Sequence, residues 1–423
     1  MTPHARVAYI LLWFPKPTET FVFGEVCRLR ELGLPVEVFT LYGRWRKKLS
    51  DQMATYPGPV TRLGVAGIGR LARDLTYWLV HRPGRSLAVL GLWFRRWRGL
   101  ETAAEALWAL LGSFSLARWC RARGIGHLHA DWADGPATAA WAASRLTGLP
   151  FSFTGRAHDI HPPDGALAPK IAAAAWVRAD VAGVADYLGQ LAPKQRAKIH
   201  LVRACQTLPP VPGAPLRFAP PYRLLAVGRL VDKKGFDLLL AACAKLAGRG
   251  LEFRLTLAGD GPRRRRLQRL AQSLGLGDKV TFPGFVPHHR IPDLYQAADL
   301  MVAPSRITAA GDRDGIPNVL VEAMSHRLPV VACDVAGIGE VVIPGRTGWL
   351  APPDDAGALT RAMEQALSDR DRALTYARQG RDLVNRMFDP AARAADLLRL
   401  FTQGDAHWPS PSTSRTVANN CSR

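Results

Sequence analysis

The stretch Val227-Gly228-Arg229-Leu230-Val231-Asp232-Lys233-Lys234-Gly235 decides the fold. It follows the apolar run Tyr222 to Val227, which reads as a strand, and precedes Phe236 to Leu246, which reads as a helix. A glycine-bearing turn between strand and helix is the repeating unit of a doubly wound parallel sheet. Its glycines let backbone approach a ligand closely, and Arg229 and Lys234 flank its mouth. The N-terminus of the following helix also attracts anions, so the turn suits a diphosphate neutralised by protein cations. A solvated basic loop is the plain alternative, but strand, glycine and cations fall in the order that a phosphate site needs.

Working outward, Leu255 to Leu257, Val280 to Phe282, Leu300 to Ala303 and Val330 to Cys333 read as further strands, each followed by a helical run. The first half repeats the pattern: Val7 to Trp13, a helix from about Thr20 to Leu32, then Val36 to Leu41, Leu128 to Ala130, Phe151 to Thr154 and Val181 to Val184. The two series meet at Pro209 to Pro221, the richest proline cluster in the chain. The expected organisation is a Rossmann-like domain over 1–208, a linker over 209–221, and a second such domain over 222–385. A C-terminal helix over 386–402, suited to return to the first domain, and a polar tail over 403–423 complete it.

A length of 423 residues accommodates two such domains, and 48% apolar with 22% charged residues is ordinary for a globular protein. The charge is less ordinary. Lys and Arg number 56 against 35 Asp and Glu, a net +21, which favours polyanions: nucleic acid, an anionic membrane face or phosphorylated substrates. The six cysteines are scattered without metal-ligand spacing and read as reduced thiols. The apolar start, Val7 to Phe14, runs into Pro15 and reads as a buried strand and not as a signal peptide. No apolar stretch reaches the roughly 20 residues of a membrane helix. Between Arg70 and Leu100, Trp78, Trp93 and Trp97 alternate with Arg82, Arg85, Arg95, Arg96 and Arg98. That mixture suits a lipid headgroup layer, or equally two amphipathic helices packed on the first sheet.

Two more loops carry candidate chemistry. Leu257-Ala258-Gly259-Asp260-Gly261-Pro262 leaves the C-terminal end of a strand, where ligands of open α/β sheets collect. Asp314-Gly315-Ile316-Pro317-Asn318-Val319-Leu320-Val321-Glu322 sets two carboxylates eight positions apart across a loop and a helix start. Pro317 suits the first turn, leaving the N–H groups of Asn318, Val319 and Leu320 for a phosphate, while Asp314 and Glu322 suit pairs of sugar hydroxyls. Asp312-x-Asp314 also has the form of a metal-binding D-x-D. Its setting beside a phosphate-type loop that already holds Arg229 and Lys234 argues against a metal.

These residues together resemble the family 4 retaining glycosyltransferases of the GT-B fold. The motifs are G-R-L-V-D-K-K-G, A-G-D-G-P, V-T-F-P-G-F-V, D-G-I-P-N-V-L-V-E-A-M-S, L-P-V-V-A and G-R-T-G-W-L-A-P-P-D. F-P-K-P-T-E-T-F, H-L-H-A-D-W-A and F-S-F-T-G-R-A-H-D-I resemble the branch that builds exopolysaccharides such as colanic acid. The resemblance implies that Arg229 and Lys234 bind the donor diphosphate, Glu322 the ribose, and backbone at Gly315, Ile316 and Asn318 to Leu320 the phosphate and sugar. It also implies that Phe282 to Val286, with Phe285, lines the base. Where the family has Glu, this chain has the shorter Asp314. The family histidine, three residues before an Asp, is here Arg156 before Asp159, with His158 on the same loop. The candidate catalytic residues are therefore His158, Arg156 and Asp314.

The expected function is metal-independent, retaining transfer of a sugar from a UDP- or GDP-linked donor to a saccharide acceptor, lipid-linked by analogy, in exopolysaccharide or cell-surface glycan synthesis. The donor is a substrate, no cofactor or nucleic-acid partner is expected, and the location is cytoplasmic, peripheral at the inner membrane face. A GT-B sugar-nucleotide epimerase and a non-catalytic basic membrane or nucleic-acid binder are the rival readings.

Overall fold

A computed structural model of the protein describes residues 6–45, 49–94, 99–161, 163–206, 208 and 217–403. Linker residues 209–216, Arg95, Arg96, Trp97 and Arg98 of the basic aromatic segment, and tail residues 404–423 lie outside the described residues.

The first sheet comprises β1 (Arg6–Leu11), β2 (Val36–Thr40), β3 (Val60–Arg62), β4 (Ile125–Ala130), β5 (Phe151–Gly155), β6 (Trp176–Ala179) and β7 (Ile199–Leu201), in the order β3-β2-β1-β4-β5-β6-β7. The second comprises β8 (Tyr222–Val227), β9 (Phe253–Ala258), β10 (Val280–Gly284), β11 (Leu300–Ala303), β12 (Val330–Cys333) and β13 (Trp349–Ala351), in the order β10-β9-β8-β11-β12-β13. Every pairing between these strands is parallel. Both faces of the central strands are covered: all five residues of β2 and of β5 are buried, including the polar Glu37, Thr40, Ser152 and Thr154. Helix Phe236–Gly248 shows the complementary pattern, burying Phe236, Leu239, Leu240, Cys243 and Leu246 at helical spacing. The arrangement is the two-sheet GT-B fold.

Strand order reverses direction between β1 and β4 in one sheet and between β8 and β11 in the other. Loops leaving the C-terminal ends of adjacent strands diverge at such a point and open a crevice. One expected strand is absent: Val181 precedes a helix, Ala182–Leu191, and the strand is Trp176–Ala179 instead. The short apolar run Val181 to Val184 carried no periodicity to separate the two. Strands β3, β7 and β13, three residues each, were not anticipated.

After β13 the chain forms helices Ala356–Ser368 and Arg370–Met387, then Pro390–Gln403, which lies on the first domain. There Leu397 is fully buried among Val202, Trp176 and the β1 side chains Val7 and Tyr9, while the Phe401 ring meets His127, His129 and Trp176 edge-on. Leu397→Ala should therefore lower stability by about 2–5 kcal/mol, the range for emptying a buried leucine site. Denaturant unfolding followed by tryptophan fluorescence measures it, and a shift under about 0.5 kcal/mol would mean that this helix does not secure the first domain.

Candidate active site

The loop after β8 is fixed by contacts that admit no side chain. Gly235 has φ 63°, and a Cβ there would fall 1.9 Å from the Pro304 carbonyl oxygen; at Gly259, φ 140°, one would fall 1.8 Å from the Gly228 oxygen. The turns after β8, β9 and β11 thus press backbone on backbone at the switch point. Lys234 Nζ lies 2.7 Å from Asp314 Oδ2, and Lys233 Nζ lies 2.9 Å from Asp312 and 3.6 Å from Asp314. Burial would raise the Asp314 carboxyl, but Lys234 and Lys233 together hold it below its usual range. Arg229 is exposed and forms no ion pair among the described residues.

Glu322 is buried on the short helix Asn318–Ser325. Tyr295 donates its hydroxyl to Oε2 at 2.9 Å, and His288 Nε2 and Gln206 Nε2 lie 3.3 and 3.5 Å from Oε1. The bond to Glu322 raises the His288 pKa. At the start of this helix Leu320 N–H donates to Pro317 O at 2.9 Å, which corrects the expectation that it is free; Asn318 and Val319 have no such acceptor. Phe285, just past β10, is 72% exposed.

In the first domain the loop after β5 is built around Asp159. Its carboxylate accepts from Ala133 N–H at 2.7 Å and from Arg156 N–H at 3.0 Å, tying the loop to the one after β4. Arg156 turns inward. Its Nη2 donates to both Asp131 oxygens at 2.8 Å, its Nη1 to Asp180 at 3.0 Å, and Phe21 and Trp132 lie against the guanidinium at 4.5 and 5.1 Å. Burial opposes its charge, but Asp131 and Asp180 more than compensate, so its pKa is raised. His158 turns the other way. It packs on Trp132 at 4.7 Å with an exposed edge, and its pKa is pushed down to about 4, first by desolvation and then by Lys233 of the second domain. Arg156 and His158 share a loop and the Trp132 ring, but Arg156 is buried among carboxylates and His158 is exposed.

The two halves meet at the Asp314 loop. A Cβ at Gly315 would lie 3.8 Å from the Ala157 methyl and from Val181, and Ile316 packs against the cores of both domains. Glu340 accepts from Ala182 N–H at 2.9 Å, at the start of a first-domain helix, and also pairs with Arg203. The Asp314 loop therefore touches the His158 loop through Gly315 and Ala157, and the charges of Lys233 and Asp312 act on His158. Sequence reasoning missed Lys233 as a partner of Asp314, for which its adjacency to Lys234 was the available signal. It also missed His288, Tyr295 and Gln206 around Glu322.

Comparison with known proteins agrees with this geometry. The family model "Glycosyl transferases group 1" matches residues 214–383. The putative colanic acid biosynthesis glycosyltransferase WcaL of Salmonella typhimurium is 35% identical over 207 residues, 49% of this chain and 50% of that protein. The amylovoran biosynthesis glycosyltransferase AmsK of Erwinia amylovora is 40% identical over 139 residues, 33% of this chain and 34% of that protein. The chain thus spans at most about half the length of these curated relatives. Among solved structures, Anabaena HepE in complex with UDP-glucose superposes with a TM-score of 0.68 at 17% identity, covering 94% of this chain and 99% of that one. The lipopolysaccharide outer core galactosyltransferase WaaB gives 0.67 at 15% identity, covering 94% and 99%. Residues 214–383 are accordingly a glycosyl transferases group 1 domain, set in a chain with the GT-B fold.

Proposed function

We propose that this chain is a retaining glycosyltransferase that moves a sugar from a nucleoside diphosphate to a saccharide acceptor in exopolysaccharide or cell-surface glycan synthesis. The observation that carries this reading is the Lys234–Asp314 pair at the switch point, on a loop that meets the His158 loop through Gly315 and Ala157. The names of the colanic acid and amylovoran relatives support the pathway class, and UDP in one superposed structure and GDP-mannose in a relative's name keep both bases in view.

In this reading Lys234 and the unpaired Arg229 neutralise the donor diphosphate and the charge that grows on it as the glycosidic bond breaks, with the N–H groups of Asn318 and Val319 adding dipoles. Glu322 has four lone-pair directions, and those left by Tyr295 and His288 accept the ribose hydroxyls. The exposed Phe285 ring offers a face for the base. Asp314 and backbone at Gly315 and Ile316 orient the sugar. The departing diphosphate, on the face from which the acceptor hydroxyl approaches, takes the hydroxyl proton, so the work of the protein is positioning and charge stabilisation. With a pKa near 4, His158 is neutral at pH 7 and hydrogen-bonds the sugar or acceptor as an uncharged imidazole. Arg156, engaged by two carboxylates, is a positioning residue for that loop. An epimerase reading predicts donor turnover without acceptor, so an assay with and without saccharide separates the two.

We further infer a cytoplasmic location, peripheral on the membrane, with a lipid-linked acceptor. Five of the nine exposed large hydrophobic side chains among the described residues fall between Val65 and Phe94: Val65, Ile68, Val80, Leu87 and Phe94, the last 87% exposed. Exposed Arg73, Arg82 and Arg85 share the segment. Apolar tips among arginines match an anionic headgroup layer. Trp78 takes no part, being buried with its Nε1 donating to Phe114 O at 3.1 Å.

Lys234→Ala should weaken UDP or GDP binding by about 10–100-fold, the range for losing a hydrogen bond to a charged group, as read by calorimetry. Unchanged affinity would remove Lys234 from the donor site. His158→Ala should leave nucleotide affinity and folding intact while cutting turnover, whereas Arg156→Ala should destabilise the protein by about 3–5 kcal/mol because the buried Asp131 loses the partner bonded to both its oxygens and keeps only Arg178 at 4.0 Å. Equal stability of the two variants in denaturant would contradict these separate roles. The full chain should sediment with phosphatidylserine vesicles and leave them as salt rises, and Leu87→Asp with Phe94→Asp should abolish sedimentation. Retention by the double variant would place the contact elsewhere.

A further inference from the structure

The first sheet ends in a second concavity that donor binding leaves unused. It has a volume of about 360 Å³, lies among the loops after β1 and β2 and the segment that leads through β3, and is lined by Phe14, Trp45, Met53, Tyr56, Arg44 and Arg62 among others. Its walls are aromatic and its charges are all of one sign, since no Asp or Glu lines it. Arg62 donates only through Nη2, to Phe14 O at 3.3 Å, and its Nε is buried without a partner. Trp45 Nε1 is also buried without a partner. Arg44 is exposed and forms no ion pair among the described residues.

Like charges do not assemble beside orphaned donors without cause. Burial and then the neighbouring Arg44 lower the Arg62 pKa, so the two guanidiniums are near enough to oppose one another. Buried N–H groups without acceptors are destabilising, and a negatively charged occupant removes both the penalty and the repulsion. The aromatic walls suit the C–H faces of a sugar ring. Lys16 stands beside one of the lining rings. Lys16 Nζ lies 5.5 Å from the Trp13 ring and 5.8 Å from the Trp45 ring, and it pairs with Glu19 at 2.5 Å. The charges of that same Lys16 and Glu19 act on His158.

We propose that this concavity is an acceptor subsite that holds a saccharide bearing a negative group, phosphoryl or uronate carboxylate, against Arg44 and Arg62. The proposal rests on the glycosyl-transfer reading and adds the chemical class of the acceptor. An anion held there leaves the neutral end of the saccharide free to reach toward His158 and the donor sugar.

The test is titration calorimetry on the full chain with three probes, maltotriose, maltotriose 1-phosphate and trigalacturonate, each with and without saturating UDP or GDP. One or both charged probes should bind at least roughly tenfold tighter than maltotriose, as charge-assisted contacts would give, and the one that does identifies the group. Arg44→Gln with Arg62→Gln should erase the preference, while Arg62→Lys, which keeps the charge at the sheet edge, should retain part of it. Nucleotide affinity, measured on the same samples, should be unaltered in all variants and reports independently that each is folded. Equal binding of neutral and charged probes, or a preference that survives the double substitution, overturns the subsite. Failure of the unmodified chain to bind nucleotide would strike the transfer reading instead, and the probe preference would still be read without nucleotide.

Discussion

A carboxylate withdrawn from water is destabilised by several kcal/mol unless cations stand beside it. Asp314 is such a group, and its cations, Lys234 and Lys233, come from a different loop. The pair therefore ties the turn after β8 to the long loop after β11 across the point where the sheet reverses its order. Gly235 meets Pro304 without room for a methyl group, so the tie is also fixed in position. The same loop continues through Gly315 and Ile316 into the seam with the first domain. In the proposed reading, a diphosphate that draws Lys234 to itself changes the partner of Asp314, the residue next to that seam, which links ligand binding to the fit between domains.

The first domain answers with a network of its own. Arg178 is fully buried, bonded to Glu25 at 2.6 Å and to the carbonyls of Val202 and Arg203, and Glu25 accepts from Tyr9 at 2.5 Å. Arg156 joins the set through Asp131, which lies 4.0 Å from Arg178. Such buried pairs add little net stability, but breaking one leaves an uncompensated charge, so they hold a loop to one geometry. The planar guanidinium fork fits two carboxylates at once in a way that an imidazole could not. Arginine at this position thus commits the side chain to the interior and leaves His158 as the group that faces the cleft.

The second domain was the more legible half. β8, β11 and β12 fall where their apolar runs begin and end, because strands buried on both faces leave unbroken hydrophobic signatures. Three-residue edge strands leave none, and Val181 to Val184 misled because a short apolar run suits either a strand or a helix start. The turn after β8 was legible as strand, glycine-bearing loop and helix because those signals are contiguous in sequence. The surroundings of Glu322 were not: Tyr295 and His288 lie 27 and 34 positions away and meet it only through the packing of β10 and its following helix. The split between Arg156 and His158 was equally hidden, because the direction of a side chain on an irregular loop depends on distant carboxylates such as Asp131 and Asp180.

The helix Pro390–Gln403 closes the first domain with residues made after the whole of the second. During synthesis, Trp176, His127 and the sheet face they share stay uncovered while the second domain is still being translated. The first domain therefore emerges with an apolar face that its own segment cannot bury. A nascent chain of this kind matures from the middle outward, and its earliest half is the last to be finished.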